Sequence, residues 1–135
     1  MQIRRVSFVG LRTDRHDAMT TFIGGVLGLP AGHREDDWAV FRLPSGNRDF
    51  VEVFRTGGGY DERLLPAEAG PLTVAFDVDD LDAARAELVA AGIELVGDIV
   101  WAAEAFAEPR YEGFGWLYFR APDGTVLCLQ QDHAP

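Results

Sequence analysis

Two stretches of this 135-residue chain read as one module written twice, and no other feature restricts the fold as tightly. Val6–Asp14, VSFVGLRTD, leads into a helical stretch that stops at Leu27-Gly28-Leu29. Leu72–Asp80, LTVAFDVDD, leads into one that stops at Ala91-Gly92-Ile93. Each half then adds strand-like segments and closes on an apolar strand, FVEVF at 50–54 and TVLCL at 125–129. A repeat of about 65–70 residues means that each module leaves one sheet face unburied until its twin arrives. Equivalent positions of the two halves then converge on a central cleft, where chemistry is expected.

Local patterning fills in the modules. Arg4–Leu11 alternates and is rich in β-formers, so it reads as a strand. Thr13 or Asp14 caps a helix over Asp17–Leu27, with Phe22, Val26 and Leu27 facing inward and Gly28 and Pro30 ending it. Gly32–Glu35, Trp38–Leu43 and Asp49–Arg55 follow as a meander, turning through PSGNRD at 44–49. In the second half, Leu72–Val78 is a strand, and Asp79 or Asp80 caps a helix over Leu81–Ala91 striped by Leu81, Ala84, Leu88 and Val89. Strands over Glu94–Val96, extendable through Val100, then Gly115–Arg120 and Thr125–Gln131 complete it. Trp101–Phe114 reads as a long loop or helical excursion.

The expected fold is α+β: tandem βαβββ modules forming a curved mixed sheet around a central cleft, with the helices on the outer face. It is one domain over residues 1–135, with module one about 1–56, a linker about 57–70 rich in Gly57-Gly58-Gly59, and module two about 71–135.

Charge and cysteine content narrow the partners. Twenty-two acidic residues against 12 basic ones give a net charge of −10, which argues against nucleic acid or anionic lipid and favours a cationic ligand. No apolar run is long enough for a membrane span, and MQIRR at the start lacks a signal peptide's hydrophobic segment. Cys128 stands alone, which rules out an intrachain disulfide and fits a reducing cytoplasm. The expected setting is therefore cytoplasmic.

The element order resembles the vicinal oxygen chelate superfamily, the glyoxalase, bleomycin-resistance and dihydroxybiphenyl dioxygenase-like proteins. Leu11-Arg12-Thr13-Asp14, Phe22 with Val26-Leu27-Gly28-Leu29, and Phe50-Val51-Glu52-Val53-Phe54 carry that resemblance in the first half. Val74–Asp80, Gly115-Trp116-Leu117-Tyr118-Phe119 and Pro122-Asp123-Gly124 carry it in the second. Metal-dependent members draw ligands from the first and last strands of each module. Laid on this chain, those positions fall at Ser7 (or Phe8, one residue on), Glu52, Thr73 and Cys128. Only Glu52 is a hard ligand of the family's kind, and a lone carboxylate does not hold a divalent ion. His16, at the first helix start, His33, in the second strand, and His133, in the tail, show no ligand spacing with Glu52 and read as surface or rim residues. No metal and no cofactor are expected. The resemblance also implies a homodimer.

Period-two alternation predicts the cleft lining. Val6, Phe8, Val51, Val53, Val74, Phe76, Leu127 and Leu129 should face the helices. Their alternates should face the cleft: Ser7 and Val9; Trp38 and Val40; Phe50, Glu52 and Phe54; Thr73, Ala75 and Asp77; Trp116 and Tyr118; Cys128 and Gln130. Trp101, Tyr111 and Phe114 would close over them from the loop. The set is aromatic with few polar groups, as small-molecule pockets are.

Two readings of Glu52 stand side by side. Among Phe50, Phe54 and Trp38, desolvation would raise its pKa and suit it to proton abstraction or cation binding. Alternatively it is an inherited carboxylate satisfied by an Arg, Tyr118 or water. The sequence thus points to a metal-free protein binding a small aromatic, cation-bearing molecule. The alternative is a superfamily enzyme, a lyase, isomerase or dioxygenase, using Glu52 as base or metal ligand.

Overall fold

The computed structural model describes residues 1–46 and 48–132; Asn47, inside the turn read at 44–49, and His133 lie outside the described residues. The chain divides into two compact units. The first is Ser7–Val74 and the second is Met1–Val6 together with the chain from Ala75 onward. Each carries one βαβββ module of an α+β fold.

In the first unit, β1 (Arg5–Thr13) runs into α1 (His16–Thr21), and β2 (Ala31–Arg34), β3 (Trp38–Arg42) and β4 (Phe50–Arg55) follow as a meander. The sheet order is β2-β3-β4-β1, with β1 parallel to β4 and the other pairs antiparallel. Ile23, Ala39, Phe41 and Val53 form the core on the helix side, joined by Leu11, Met19, Leu29 and Val51.

The helix differs from its sequence reading. Its second half, Phe22–Val26, is a π turn rather than a continuation of the α-helix. The wider i→i+5 turn shifts the phase of every later side chain. Ile23 therefore points inward, while Phe22, Val26 and Leu27, read as inward, are 44%, 74% and 58% exposed. Gly24 lets the turn sit on the sheet, because a Cβ there would stand 3.2 Å from Phe41 Cε1. The capping reading also shifts: Thr13 Oγ1 accepts from Arg15 N at 3.0 Å, just ahead of the helix, and no side chain caps α1 itself.

The segment read as a linker holds α2 (Gly59–Leu64), tied to β1. Arg12 Nε donates to Asp61 Oδ1 at 2.8 Å, and the same guanidinium reaches the carbonyls of Ala69 at 2.6 Å and Pro66 at 2.9 Å. Asp61 Oδ2 in turn accepts from Gly57 N at 2.8 Å. One part-buried ion pair thus fixes where α2 lies.

In the second unit, β5 (Leu72–Asp77), α3 (Leu81–Ala90), β6 (Glu94–Trp101), β7 (Phe114–Arg120) and β8 (Val126–Asp132) give the sheet order β5-β8-β7-β6. Asp80 caps α3 by accepting from Ala83 N at 3.0 Å, as its position before the apolar stripe predicts. Leu81, Ala84 and Leu88 pack on Leu117, Phe119 and Leu129, each large residue adding roughly 1.5–3 kcal/mol of burial. Val89, read as part of the stripe, is exposed. A bulge between Val96 and Val100, with Gly97 at φ 82°, carries β6 on to Trp101. Only then does the excursion begin, with α4 (Ala102–Ala105) and a 3₁₀ turn at Pro109–Tyr111.

Candidate functional site

Strand register in the first unit sets one row across the sheet: Gly10 opposite Glu52, Glu52 opposite Val40, and Val40 opposite His33. The flanking rows are Phe8–Phe50–Arg42 and Arg12–Phe54–Trp38. Even-numbered residues of β1, β3 and β4 therefore share a face, and the odd-numbered Leu11, Ala39, Phe41, Val51 and Val53 lie in the helix-side core.

This placement corrects Ser7. The Phe8 and Phe50 rings stack at 5.1 Å and 16°, so Phe8 shares the Glu52 face and Ser7 and Val9 point to the helix side. Ser7 is fully buried there, its hydroxyl unpartnered among the described residues. Val6, read as helix-facing with Phe8, is exposed. Simple alternation places Phe8 with the aliphatic core; the ring goes instead where another ring receives it.

Aromatic rings surround Glu52. Trp38 Nε1 donates to Glu52 Oε1 at 3.1 Å. Trp38 stacks on Tyr60 of α2 at 4.5 Å and meets the His33 ring at 4.7 Å. His33 Nε2 pairs with Glu35 Oε2 at 2.8 Å, and this bond first and one to Tyr60 second hold the Glu35 carboxyl below its usual range. The Arg42 guanidinium lies 5.3 Å over Phe50. Phe50 and Phe54 are buried. Thr73 is buried beside Gly10, where a Cβ would meet Phe8 Cε2 at 3.8 Å and Thr73 Cβ at 3.9 Å.

Glu52 keeps partial exposure, yet its carboxyl sits deep enough that desolvation raises its pKa to about 7. Trp38 and Arg42 pull in the opposite direction without overcoming the burial. A carboxyl poised there can exchange a proton or face a cation near neutral pH.

Three residues in this neighbourhood escaped the sequence reading. Tyr60 sits in the stretch taken as linker, and Glu35 and His33 were not assigned to the site. His33 does lie on the Glu52 face, as the row and its contact with Trp38 show. His16, read as a surface or rim residue, is buried instead, and neither ring nitrogen has a hydrogen-bond partner among the described residues. Burial lowers its pKa first, and the Glu35 backbone offsets this in part.

In the second unit, Asp77, Gln130 and Trp116 form one row and Ala75, Cys128 and Tyr118 the next. These side chains lie opposite the helix-side core, as alternation predicts. Trp116 is covered by Phe106 at 6.4 Å and Phe114 at 5.8 Å, and Tyr111 meets the edge of Phe106. Trp101 departs from the expectation of a closing lid. It ends β6, lies over Gly115 and packs on the helix-side core of Leu117 and its neighbours. Cys128 is buried, its thiol donating to the Leu129 carbonyl at 3.3 Å.

The donor set does not fit a divalent ion. Of the positions that the resemblance implies for metal ligands, those in the first unit that share the Glu52 face include Phe8, a ring, beside the single carboxylate of Glu52, and Thr73 adds one hydroxyl. Among the described residues no three His, Cys, Asp or Glu side chains gather to hold an ion. No helix among them is long and apolar enough to cross a membrane.

The fold has known counterparts. A Streptomyces coelicolor methylmalonyl-CoA epimerase variant in complex with 2-nitronate-propionyl-CoA is 16% identical, over 98% of this chain and all of that one, with a TM-score of 0.70. Methylmalonyl-CoA epimerase from Mycobacterium tuberculosis is 17% identical, over 95% of this chain and 87% of that one, at 0.66. The Mn(II)-bound glyoxalase from Novosphingobium aromaticivorans is 19% identical over 95% of this chain but 38% of its own, at 0.68. At such identities the likeness shows the fold alone. No curated protein matches the chain. Residues 5–129 match a family described as Glyoxalase/Bleomycin resistance protein/Dioxygenase superfamily, and the chain belongs to that superfamily.

Proposed function

We propose that this protein binds a small aromatic molecule bearing an amine, without a metal, against the Glu52 face of the first unit. The observation that carries the reading is Glu52 itself: one carboxyl, its pKa raised to about 7 by burial, held by Trp38 Nε1, whose ring stacks on Tyr60, with Phe50 on the same face. An ammonium group beside Glu52 replaces the solvation that burial removes, and the rings receive the apolar part. Net charge of −10 favours a cation from a distance. The buried thiol of Cys128 and the superfamily's habit of pairing support a cytoplasmic homodimer.

The test is calorimetric titration with 2-phenylethylamine at pH 6 and pH 8. Glu52 goes from mostly neutral to mostly ionised over that range, so affinity should rise about tenfold. Glu52→Gln should bind weakly at both pH values. A pH-independent affinity that the variant shares would put the ligand elsewhere.

The same pKa favours a second reading, Glu52 as a general base toward a carbon acid. The Streptomyces coelicolor epimerase variant named above holds 2-nitronate-propionyl-CoA, but a polyanionic thioester suits this acidic chain poorly. Glu52-dependent deuterium exchange into a neutral or cationic ketone would support the base; none would leave binding alone.

A further inference from the structure

Buried polar atoms without partners gather in the second unit. Asp77 and Gln130 are 3% and 1% exposed. Among the described residues, Asp77 Oδ1, Gln130 Oε1, Gln130 Nε2 and Arg5 Nη1 make no hydrogen bond. Asp77 Oδ2 has Arg5 Nε at 3.6 Å and Arg4 Nε at 3.8 Å, both too long for hydrogen bonds. Folded chains keep few such atoms, and four in one cluster point to a partner from outside the chain.

We infer that the Asp77–Gln130–Trp116 row binds the amide edge of a flat, neutral ligand, a carboxamide or lactam carried on a ring.

The chemistry of the four atoms sets that class. Arg5 Nη1 and Gln130 Nε2 donate; Asp77 Oδ1 and Gln130 Oε1 accept. A ligand that meets both kinds must offer a donor and an acceptor side by side, as an amide does. The Gln130 side chain can close a two-bond ring with such an edge. Charge is already balanced, because Asp77 faces Arg4 and Arg5, so a charged ligand gains little. Burial pushes the Asp77 carboxyl up, with Arg5 and then Arg4 pulling it back, and Asp132 and Asp79 are the other charges it feels. Trp116, the strand partner of Gln130, is buried with Phe106 and Phe114 in an aromatic group at the end of this row that suits the ligand's ring. The Arg5 side chain keeps 23% of its surface and marks the open side.

The experiment titrates the whole protein with benzamide and follows the Gln130 side-chain NH₂ and Trp116 indole signals by ¹H–¹⁵N NMR. Benzoate and benzylamine, with the same ring and half the hydrogen-bonding edge, serve as comparisons. Both signals should move with benzamide, and each comparison compound should bind about tenfold more weakly or worse. Gln130→Met should weaken benzamide by a similar factor; the wild-type signals and the compound ranking decide the matter if that variant does not fold. Unmoved Gln130 signals, equal binding of benzoate, or a crystal structure with benzamide in which ordered waters still bond all four atoms would each overturn the inference. Benzamide reports on Gln130 and the amine titration on Glu52, so the two readings fail separately.

Discussion

Glu52→Gln should make the protein more stable at pH 8 and leave it nearly unchanged at pH 4. The pKa of Glu52 moves from an ordinary 4.5 to about 7 because burial disfavours the charged form. At 1.36 kcal/mol per pH unit, holding Glu52 ionised above pH 7 costs the fold roughly 3 kcal/mol. Its partial exposure trims that toward about 2 kcal/mol through solvent screening. A raised carboxyl pKa means the native state holds more protons than the unfolded state between about 4.5 and 7. Stability therefore falls as pH rises across that window and levels off above it. Glutamine keeps the shape and the acceptor for Trp38 Nε1 but never ionises. The difference in unfolding free energy between variant and wild type should climb from near zero at pH 4 to about 2–3 kcal/mol at pH 8. Urea unfolding followed by circular dichroism at pH 4, 6 and 8 measures it, and other titrating groups cancel in the subtraction. A flat difference, or a variant less stable at pH 8, would refute the desolvation argument.

Three further outcomes follow from neighbouring geometry. Trp38→Phe removes the one hydrogen bond that lowers the Glu52 pKa, so carboxyl ¹³C NMR should show the midpoint moving above 7. His16 is buried with its pKa lowered by desolvation, so its native state resists protonation. Stability should fall as pH drops below its unfolded pKa of about 6.5, and His16→Phe should flatten that limb of the pH–stability curve. Arg12→Leu leaves Asp61 buried without its ion partner and strips the guanidinium from the Ala69 carbonyl, and chemical unfolding should show a loss of about 3–5 kcal/mol.

The fold was legible because its signals are local and repeated. Alternation in FVEVF, the Asp80 cap and the Gly92 stop each report on their own few residues, and the order βαβββ appears twice. What escaped was set by contacts distant in sequence. Alternation cannot say which face is which, so Ser7 and Phe8 exchanged sides until the Phe8–Phe50 stack fixed them. The π turn at Phe22–Val26 rotates the helix by an amount that no apolar count reveals. Trp101 looked like a lid because the Gly97 bulge that carries β6 to it leaves a faint mark in the sequence. Tyr60 follows a run of three glycines, and only the Arg12–Asp61 pair shows that the segment is anchored. Glu52 was found from sequence because a carboxylate inside an apolar strand is rare whichever way the strand faces.

The central claim is that Glu52 faces an organic ligand rather than a metal ion. Elemental analysis tests it most directly, on protein incubated with manganese, nickel, zinc and iron and then passed through gel filtration without chelator. Each metal should be far below one ion per chain, and Glu52→Gln should give the same trace amounts. One ion per chain in the wild type, lost in Glu52→Gln, would contradict the claim and make Glu52 a metal ligand.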